Sequence, residues 1–350
     1  MKDSHPFRES QRSIVKPGAS IELEAVKKVD KILRRIEKEA GMPDLAKAME
    51  RISPTDLQSL LIRVYRRVAE KRNPHVLLSE YVANRFTQPS SCDPSIVIEW
   101  DRLAFSHLPR SFRAIELSTV SPLGSVSSLA SVSQDWVLTT IRNTEVVSDP
   151  TNVLALECAV RRQKLTRSRP ADSTRVDLAC RHRVLRAQRH HDQKALSHFR
   201  LFSLCSAGRD TGNMGFETTA ITDHVRFYLA SLTSFLGPET PLTVSLNDLS
   251  TDSIHAEHLT KLGETLEKEF HYARFKLEKP KTKTKGYYGK FRFHIHAAQK
   301  EEQVELVDGG DTDWTQKLLN NAKERLVTSA IGSERLCERF GSLNRAVSSI

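Results

Sequence analysis

The stretch Arg181–Asp210, RHRVLRAQRHHDQKALSHFRLFSLCSAGRD, decides the fold. Its two ends, VDLACRHRVLRAQ (begun just upstream) and HFRLFSLCSAGRD, are strand-like runs, and the polar segment 189–197 joins them. A hairpin of this length belongs to an antiparallel sheet rather than to a doubly wound parallel one.

Further strand signals lie on both sides. FRAIELSTVSP reads as a strand ending at Ser121-Pro122, and WVLTTIRNTEVV carries strand-forming residues. PLTVSLND and GKFRFHIHA are strands, the second in strict alternation, and VTSAIG is a final strand before a closing helix. Helices separate them. DPTNVLALECAVRRQ opens with Asp149 as cap and Pro150 at the first helical position. AITDHVRFYLASLTSFLG is amphipathic and stops at Gly237, and DTDWTQKLLNNAKERL reads as one more helix. The pattern predicts an α+β domain, a mostly antiparallel sheet flanked by helices.

The first 105 residues differ. Residues 1–18 show no periodicity and read as a disordered tail. Val26, Val29, Ile32, Leu33 and Ile36 recur at helical spacing before Gly41. SPTDLQSLLIRVYRRVAEKR opens with Ser53 as cap, Pro54 in the first turn and Asp56 at the positive end. The expected division is a helical N-terminal domain over 19–105 and a core over 106–350.

The 350 residues carry a formal charge of +10, which points to anionic partners. Charge concentrates in 161–191, with ten Lys/Arg against two Asp and no Glu, and again in 276–292. Either run also reads as a solvated face. The five cysteines are scattered, with no CxxC pair, so a disulfide framework and a zinc finger are not expected. No apolar run is long enough to span a membrane, and a reducing cytoplasm is the expected compartment. His294 and His296 share one strand face, but no third ligand is evident, so no metal site is expected.

Three segments matter together: the hairpin 181–210, KTKGYYGKFRF over 283–293, and VTSAIGSERLCERF over 327–340. In this order they resemble the catalytic core of class II aminoacyl-tRNA synthetases, nearest to histidyl-tRNA synthetase and its paralogue, the regulatory subunit of ATP phosphoribosyltransferase. RNTEVVSDPTNVLALECAVRR looks like the family's L-R-P-E-G-T segment and the helix after it. VLRAQ is similar to the second signature motif, and AIGSERL resembles the third.

The resemblance covers about residues 110–340 and implies ATP with Mg2+ as cofactors, a homodimer paired through FRAIELSTVSP, and adenylation of a small carboxylate or amino acid. An RNA, a protein or a small molecule would accept the acyl group. It assigns Arg186 and Arg335 to the nucleotide, Lys283 to the chemistry, and Asp149, Thr151 and Tyr288 to the substrate ammonium. Guanidinium groups suit a phosphate chain because they stay charged and bind oxygens bidentately.

Each residue also has a plainer use. Asp149 and Thr151 are what any helix start employs, Tyr287 and Tyr288 fit sheet packing, and Arg186 fits a solvated basic run. Arg335 fits an ion pair with Glu338 or Glu334.

Departures from the family pattern are specific. Leu201 and Cys205 fall near the positions of the glutamine and glutamate that recognise histidine. KALSHF lacks the loop's second arginine, and Lys283 replaces the arginine before the paired tyrosines. Gly286 stands where the family has aspartate. An anticodon-binding domain is not expected, and the insertion domain looks reduced. Two main readings stand: an adenylate-forming enzyme, and a regulatory or ligand-sensing paralogue. A nucleic-acid binder using 161–191 ranks last, for want of stacking aromatics in that run.

Overall fold

The computed structural model describes residues 17–169, 171–188, 197–250, 255–278 and 287–347, with side chains described from 29 to 341 within those ranges. The chain divides into two compact units at Lys71 and Arg72.

The first unit holds three helices: α1 (Pro17–Ala40), α2 (Leu45–Glu50) and α3 (Pro54–Glu70). α3 starts as its sequence dictates: the Ser53 hydroxyl accepts from Asp56 N at 3.2 Å, and Pro54 fills the first turn. Its apolar residues Leu60, Val64, Tyr65 and Val68 are exposed, as are Val29, Ile32, Leu33 and Ile36 of α1.

The second unit begins with α4 (Pro74–Ala83) and α5 (Pro94–His107), followed by the short strands β1 (Phe112–Ala114) and β2 (Val120–Pro122). Next come α6 (Ser125–Ala130), β3 (Thr144–Val146), α7 (Pro150–Ser168), β4 (Val176–Leu185), β5 (His198–Arg209) and α8 (Gly215–Leu236). The remaining elements are β6 (Leu242–Asp248), α9 (Ala256–Glu269), β7 (Ala273–Glu278), β8 (Phe291–Gln299), β9 (Glu302–Thr312), α10 (Trp314–Leu319), β10 (Glu324–Gly332) and α11 (Ser333–Val347).

Eight strands form one sheet in the order β1-β4-β5-β10-β9-β8-β6-β7. The pairs β1/β4 and β6/β7 at its two margins are parallel, and every pairing between them is antiparallel. The α+β expectation therefore holds. Alternation fixes the two faces. Phe291, Phe293, Ile295 and Ala297 of β8 are fully buried in the main core with α5, α8, α9 and α11, each large one contributing about 1.5–3 kcal/mol. Arg292, His294 and His296 stand on the opposite face. There, α7 and α10 cover the β4–β5–β10 end around Leu154, Cys158, Cys180, Cys205 and Trp314.

Several expected elements differ. FRAIELSTVSP splits into β1 and β2, which join different sheets. WVLTTIRNTEVV yields only β3 and part of a 3₁₀ turn at Gln134–Trp136. DTDWTQKLLNNAKERL is not one helix. Asp311 and Thr312 complete β9, α10 lasts six residues, and Asn320 ends it in the left-handed region at φ 47°. β10 then starts at Glu324, whose carboxylate is held by Arg162. α5 lies in the second unit, where Trp100 is fully buried. Among the described residues no helix is long and apolar enough to cross a membrane.

Candidate functional site

α7 begins where the sequence says. Asp149 caps it, its Oδ1 accepting from Thr151 N at 3.0 Å and from Thr151 Oγ1 at 2.7 Å. The cap also reaches across the fold. Tyr287 donates its phenol to Asp149 Oδ2 at 3.0 Å, and its oxygen lies 3.4 Å from Thr151 Oγ1. Burial and then the Asp149 charge push the Tyr287 phenol well above its usual range, so it stays protonated and donates.

Arg186, the residue after β4, completes the group. Its Nε donates to Ser148 O at 2.9 Å, its Nη2 lies 3.9 Å from Asp149 Oδ2, and its guanidinium stacks 5.1 Å from the Phe199 ring centroid. Its side chain remains 37% exposed, which leaves donors for a ligand. Cys205 lies beneath, its Sγ 3.6 Å from Thr151 O. Burial raises that thiol far above its usual range, so it is an inert part of the floor.

The start of α11 is fixed by two long-range contacts. Trp100 donates its indole N–H to Ser333 Oγ at 3.0 Å, and Arg183 pairs with the buried Glu334. Glu338 takes the Ser91 hydroxyl instead. Arg335 therefore has no carboxylate within 4 Å among the described residues. It is exposed, and among the described residues its side chain hydrogen-bonds to the Glu305 carbonyl, at 3.4 Å. The surface ion pair considered for it does not form. Gly332 pairs with Leu201 near the start of β5, and Arg186 N donates to Ser197 O just before that strand. Both arginines thus stand at the same end of β5.

Between α7 and the β6/β7 margin, the same sheet face is polar. Arg292 forks onto Asp308 at 2.9 and 3.2 Å, and His294 Nδ1 lies 3.4 Å from Glu305 and 3.8 Å from Asp308. His296 Nε2 is 3.8 Å from Glu305. Contact with His294 holds the Glu305 carboxyl below its usual range, while burial lowers His296. Among the described residues no group of three or more His, Cys, Asp and Glu is arranged to hold a metal ion.

Gly310 brings this face close to Tyr288: a Cβ there would meet Phe291 O at 2.3 Å and the Tyr288 ring at 2.7 Å. Tyr288 itself packs against Gly310 and lies 5.4 Å below the Arg292 guanidinium, so Tyr287, not its neighbour, joins Asp149 and Thr151.

Arg186, Asp149, Thr151 and Cys205 thus come together, with Tyr287 added. Arg335 shares their end of the sheet but contacts none of them. Lys283 and Gly286 lie outside the described residues. Sequence reasoning missed the Arg292–Asp308 fork and its glycine. The available signal was DGGD, two glycines inside a strand, which marks a close backbone approach. It also missed two buried polar groups: the Asn152 amide and the Ser203 hydroxyl have no partner among the described residues, while the buried Thr328 hydroxyl meets Cys205. Thr328 pairs with Cys205 across the sheet, and Ser203 lies two residues from Cys205 on the same face.

No family model and no curated protein matches the sequence. Solved structures do resemble the chain. An ATP phosphoribosyltransferase regulatory subunit/histidyl-tRNA synthetase from Bacillus halodurans C is 14% identical with a TM-score of 0.55, covering 73% of this chain and 83% of that one. The histidyl-tRNA synthetase from Nostoc sp. PCC 7120 is 12% identical with a TM-score of 0.51, covering 75% of each. A structure described as a threonyl-tRNA synthetase from Aeropyrum pernix is 12% identical with a TM-score of 0.53, covering 71% and 60%. The fold, a large and mostly antiparallel sheet flanked by helices, is class II aminoacyl-tRNA synthetase-like.

Proposed function

We propose that the chain binds ATP and adenylates a small carboxylate or amino acid for transfer to an acceptor. The observation that carries this reading is the cluster of Asp149, Thr151 and Tyr287 with the partly open Arg186 beside it. A substrate ammonium needs carboxylate and hydroxyl partners, and Asp149, Thr151 and Tyr287 supply both. The guanidinium beside them would sit against the phosphate at which charge develops when the substrate carboxylate attacks and pyrophosphate leaves.

The residues present fit a phosphate chain. Arg186 and Arg335 stand at one end of the sheet, with donors unspent among the described residues. Such positioning and charge stabilisation are most of what phosphate activation requires. Mg2+ arriving with the phosphates needs only one or two carboxylates, and Glu305, half exposed where Arg335 touches its backbone, is the residue we assign. The Asn152 and Ser203 groups, without partners among the described residues, support a polar substrate, since each costs about 1–3 kcal/mol unless a ligand or water satisfies it. Cys205 in the floor, and Leu201 four residues before it on the same strand, stand near the positions of the histidine-recognising glutamine and glutamate and argue that the substrate is not histidine. We also assign the chain to the cytoplasm, as a homodimer paired through residues 112–122. A chromatographic mass equal to the monomer would contradict the dimer.

One observation favours a second reading, a regulatory or ligand-sensing paralogue. Asp149 is already engaged by Thr151, Tyr287 and Arg186, as a purely structural cap would be. Pyrophosphate exchange across the amino acids, with Arg186→Ala as control, separates the two. Exchange lost in the variant supports the enzyme. Absence of exchange with any substrate, together with no ATP binding, removes it. A ligand that raises thermal stability without turnover selects the sensor.

A further inference from the structure

α7 has a second functional end. Its 19 residues carry its last turn about 28 Å from Asp149 at 1.5 Å per residue. At that end a cleft of about 760 Å³ opens between α7, the loop that follows it, and the β1/β4 margin of the sheet. Five cations line it: Arg113 from β1, Arg161 and Lys164 from α7, and Arg169 and Arg175 from the loop. Its two carboxylates, Asp172 and Asp177, are already satisfied. Asp172 caps Thr174 N at 2.7 Å beside Arg162, and Asp177 takes Arg175 at 2.8 Å and Ser206 at 2.6 Å. Arg161 is held by Glu157 at 2.8 Å, and Arg175 also by Asp223 at 2.6 Å. Arg113, Lys164 and Arg169 are exposed, with no carboxylate within 4 Å among the described residues.

The wall of the cleft is built rather than loose. Arg162, fully buried, donates to Thr174 O at 2.7 Å and to Asp172 O at 2.8 Å, while Glu324 grips it at 2.9 Å through both carboxylate oxygens. Asp172 and Thr174, next to Arg175, are thereby fixed to β10. Basic residues in the last turn of a helix can serve only to offset its dipole. That account does not cover Arg113, which comes from a separate strand and lines the same cleft.

We propose that this cleft binds a small ligand carrying two or three linked phosphates, at a site separate from Arg186 and Arg335. Three cations without a carboxylate within 4 Å among the described residues, brought together from three segments, suit a ligand that carries several anionic groups close together. The volume is that of an ordinary small-ligand pocket. Leu165, Val176 and Leu178 add an aliphatic floor, and no aromatic side chain is present to stack an unpaired base. The cleft is broadly open to solvent and its unpaired charges gather within one patch, which suits a short oligophosphate; a nucleic-acid backbone is the alternative that the test separates.

The test uses the full chain and inorganic tripolyphosphate, titrated calorimetrically in an Arg186→Ala, Arg335→Ala background so that the candidate nucleotide site is silent. Binding should persist there and weaken at least about tenfold when Arg113→Ser, Lys164→Ser and Arg169→Ser are added together. All three residues are exposed, and an unchanged melting temperature would confirm that the fold is kept. Because Arg113 lies within residues 112–122, the segment assigned to pairing, light scattering must show the same assembly state in every variant, and Lys164→Ser with Arg169→Ser alone should already weaken binding. Equal affinity with and without the three substitutions overturns the proposal, as does absence of binding in the background variant. Duplex RNA that binds through these three residues while tripolyphosphate does not also overturns it. Failure here leaves the adenylation reading untouched, because pyrophosphate exchange reads the other site.

Discussion

Tyr287 donates to Asp149 Oδ2 at 3.0 Å across 138 residues of sequence, so the cap of α7 is also an anchor for the segment before β8. This part-buried hydrogen bond accepts on a carboxylate, and a bond to a charged group contributes more than a neutral one, about 1.5–3 kcal/mol. Tyr287→Phe should therefore lower stability by about that amount in urea denaturation, with m unchanged. Tyr288→Phe should cost clearly less, since its ring packs against Gly310 and Arg292 and its hydroxyl makes no hydrogen bond to Asp149 or Thr151. Equal losses would remove the distinction between the two tyrosines.

Arg162 and Glu324 form a fully buried pair that joins α7 to β10. Removing one partner strands the other charge in the interior. Arg162→Ala should cost about 3–5 kcal/mol by denaturant unfolding, and Arg162→Met with Glu324→Leu should recover most of it. A double variant no more stable than the single one would show that the carbonyls of Asp172 and Thr174, not the charge pair, dominate.

How much of this was legible follows from the range of the interactions. The β4/β5 hairpin, the alternation of β8 and the Asp149-Pro150 helix start are written in adjacent residues, and all three stand in the structure. β9 was not readable. Its VELVDGGDT carries acids and two glycines, and the register slips between Ile295 and His296 opposite it, which breaks a simple period of two. The choice between Tyr287 and Tyr288 depended on which face a two-residue repeat presents, and nothing local sets that. Arg335 is left without an acid because Arg183, 151 residues away from Glu334, takes that carboxylate.

The closeness of β8 and β9 at Gly310 makes a direct prediction. In Gly310→Ala the new methyl would stand 2.3 Å from Phe291 O, a backbone atom that cannot swing aside. The substitution should destabilise the chain by about 2–4 kcal/mol and weaken hydrogen-exchange protection along β8. Gly237→Ala has open space around its Cβ and serves as a contrast, since its cost comes from a backbone φ of 86° alone.

Acid stability should reflect two opposed groups. His224 is fully buried between Ser206 and Ser329, and burial, then the Arg175 charge, lowers it to about 3. The unfolded chain takes that proton first, so stability falls as pH drops from about 6.5 towards 3. Asp311 runs the other way. Burial raises it to about 6 despite the N–H groups of Phe291 and Lys290, so its contribution falls as pH rises from 3.8 to about 6. Asp311→Asn should steepen the loss of stability below pH 6 and raise stability at pH 7 by about 1–3 kcal/mol. His224→Asn should flatten the acid limb. A midpoint-versus-pH slope unchanged in both variants would show that neither group controls the window.

Arg335 separates binding from folding. It is exposed and makes one long hydrogen bond to a carbonyl, so Arg335→Ala should change the unfolding midpoint by less than about 0.5 kcal/mol equivalent. Nucleotide affinity, read by calorimetry with ATP, should nonetheless fall about tenfold or more, since a charge-assisted phosphate contact would be lost. Arg335→Lys should restore only part of it, because lysine keeps the charge but not the planar fork. Arg183→Ala provides the converse case. It strands the buried Glu334 beneath the same junction, so it should lower stability and nucleotide affinity together. If Arg335→Ala binds ATP as the parent does while Arg183→Ala does not, the phosphate contact belongs to another side chain at the start of α11, and the role given to Arg335 is wrong.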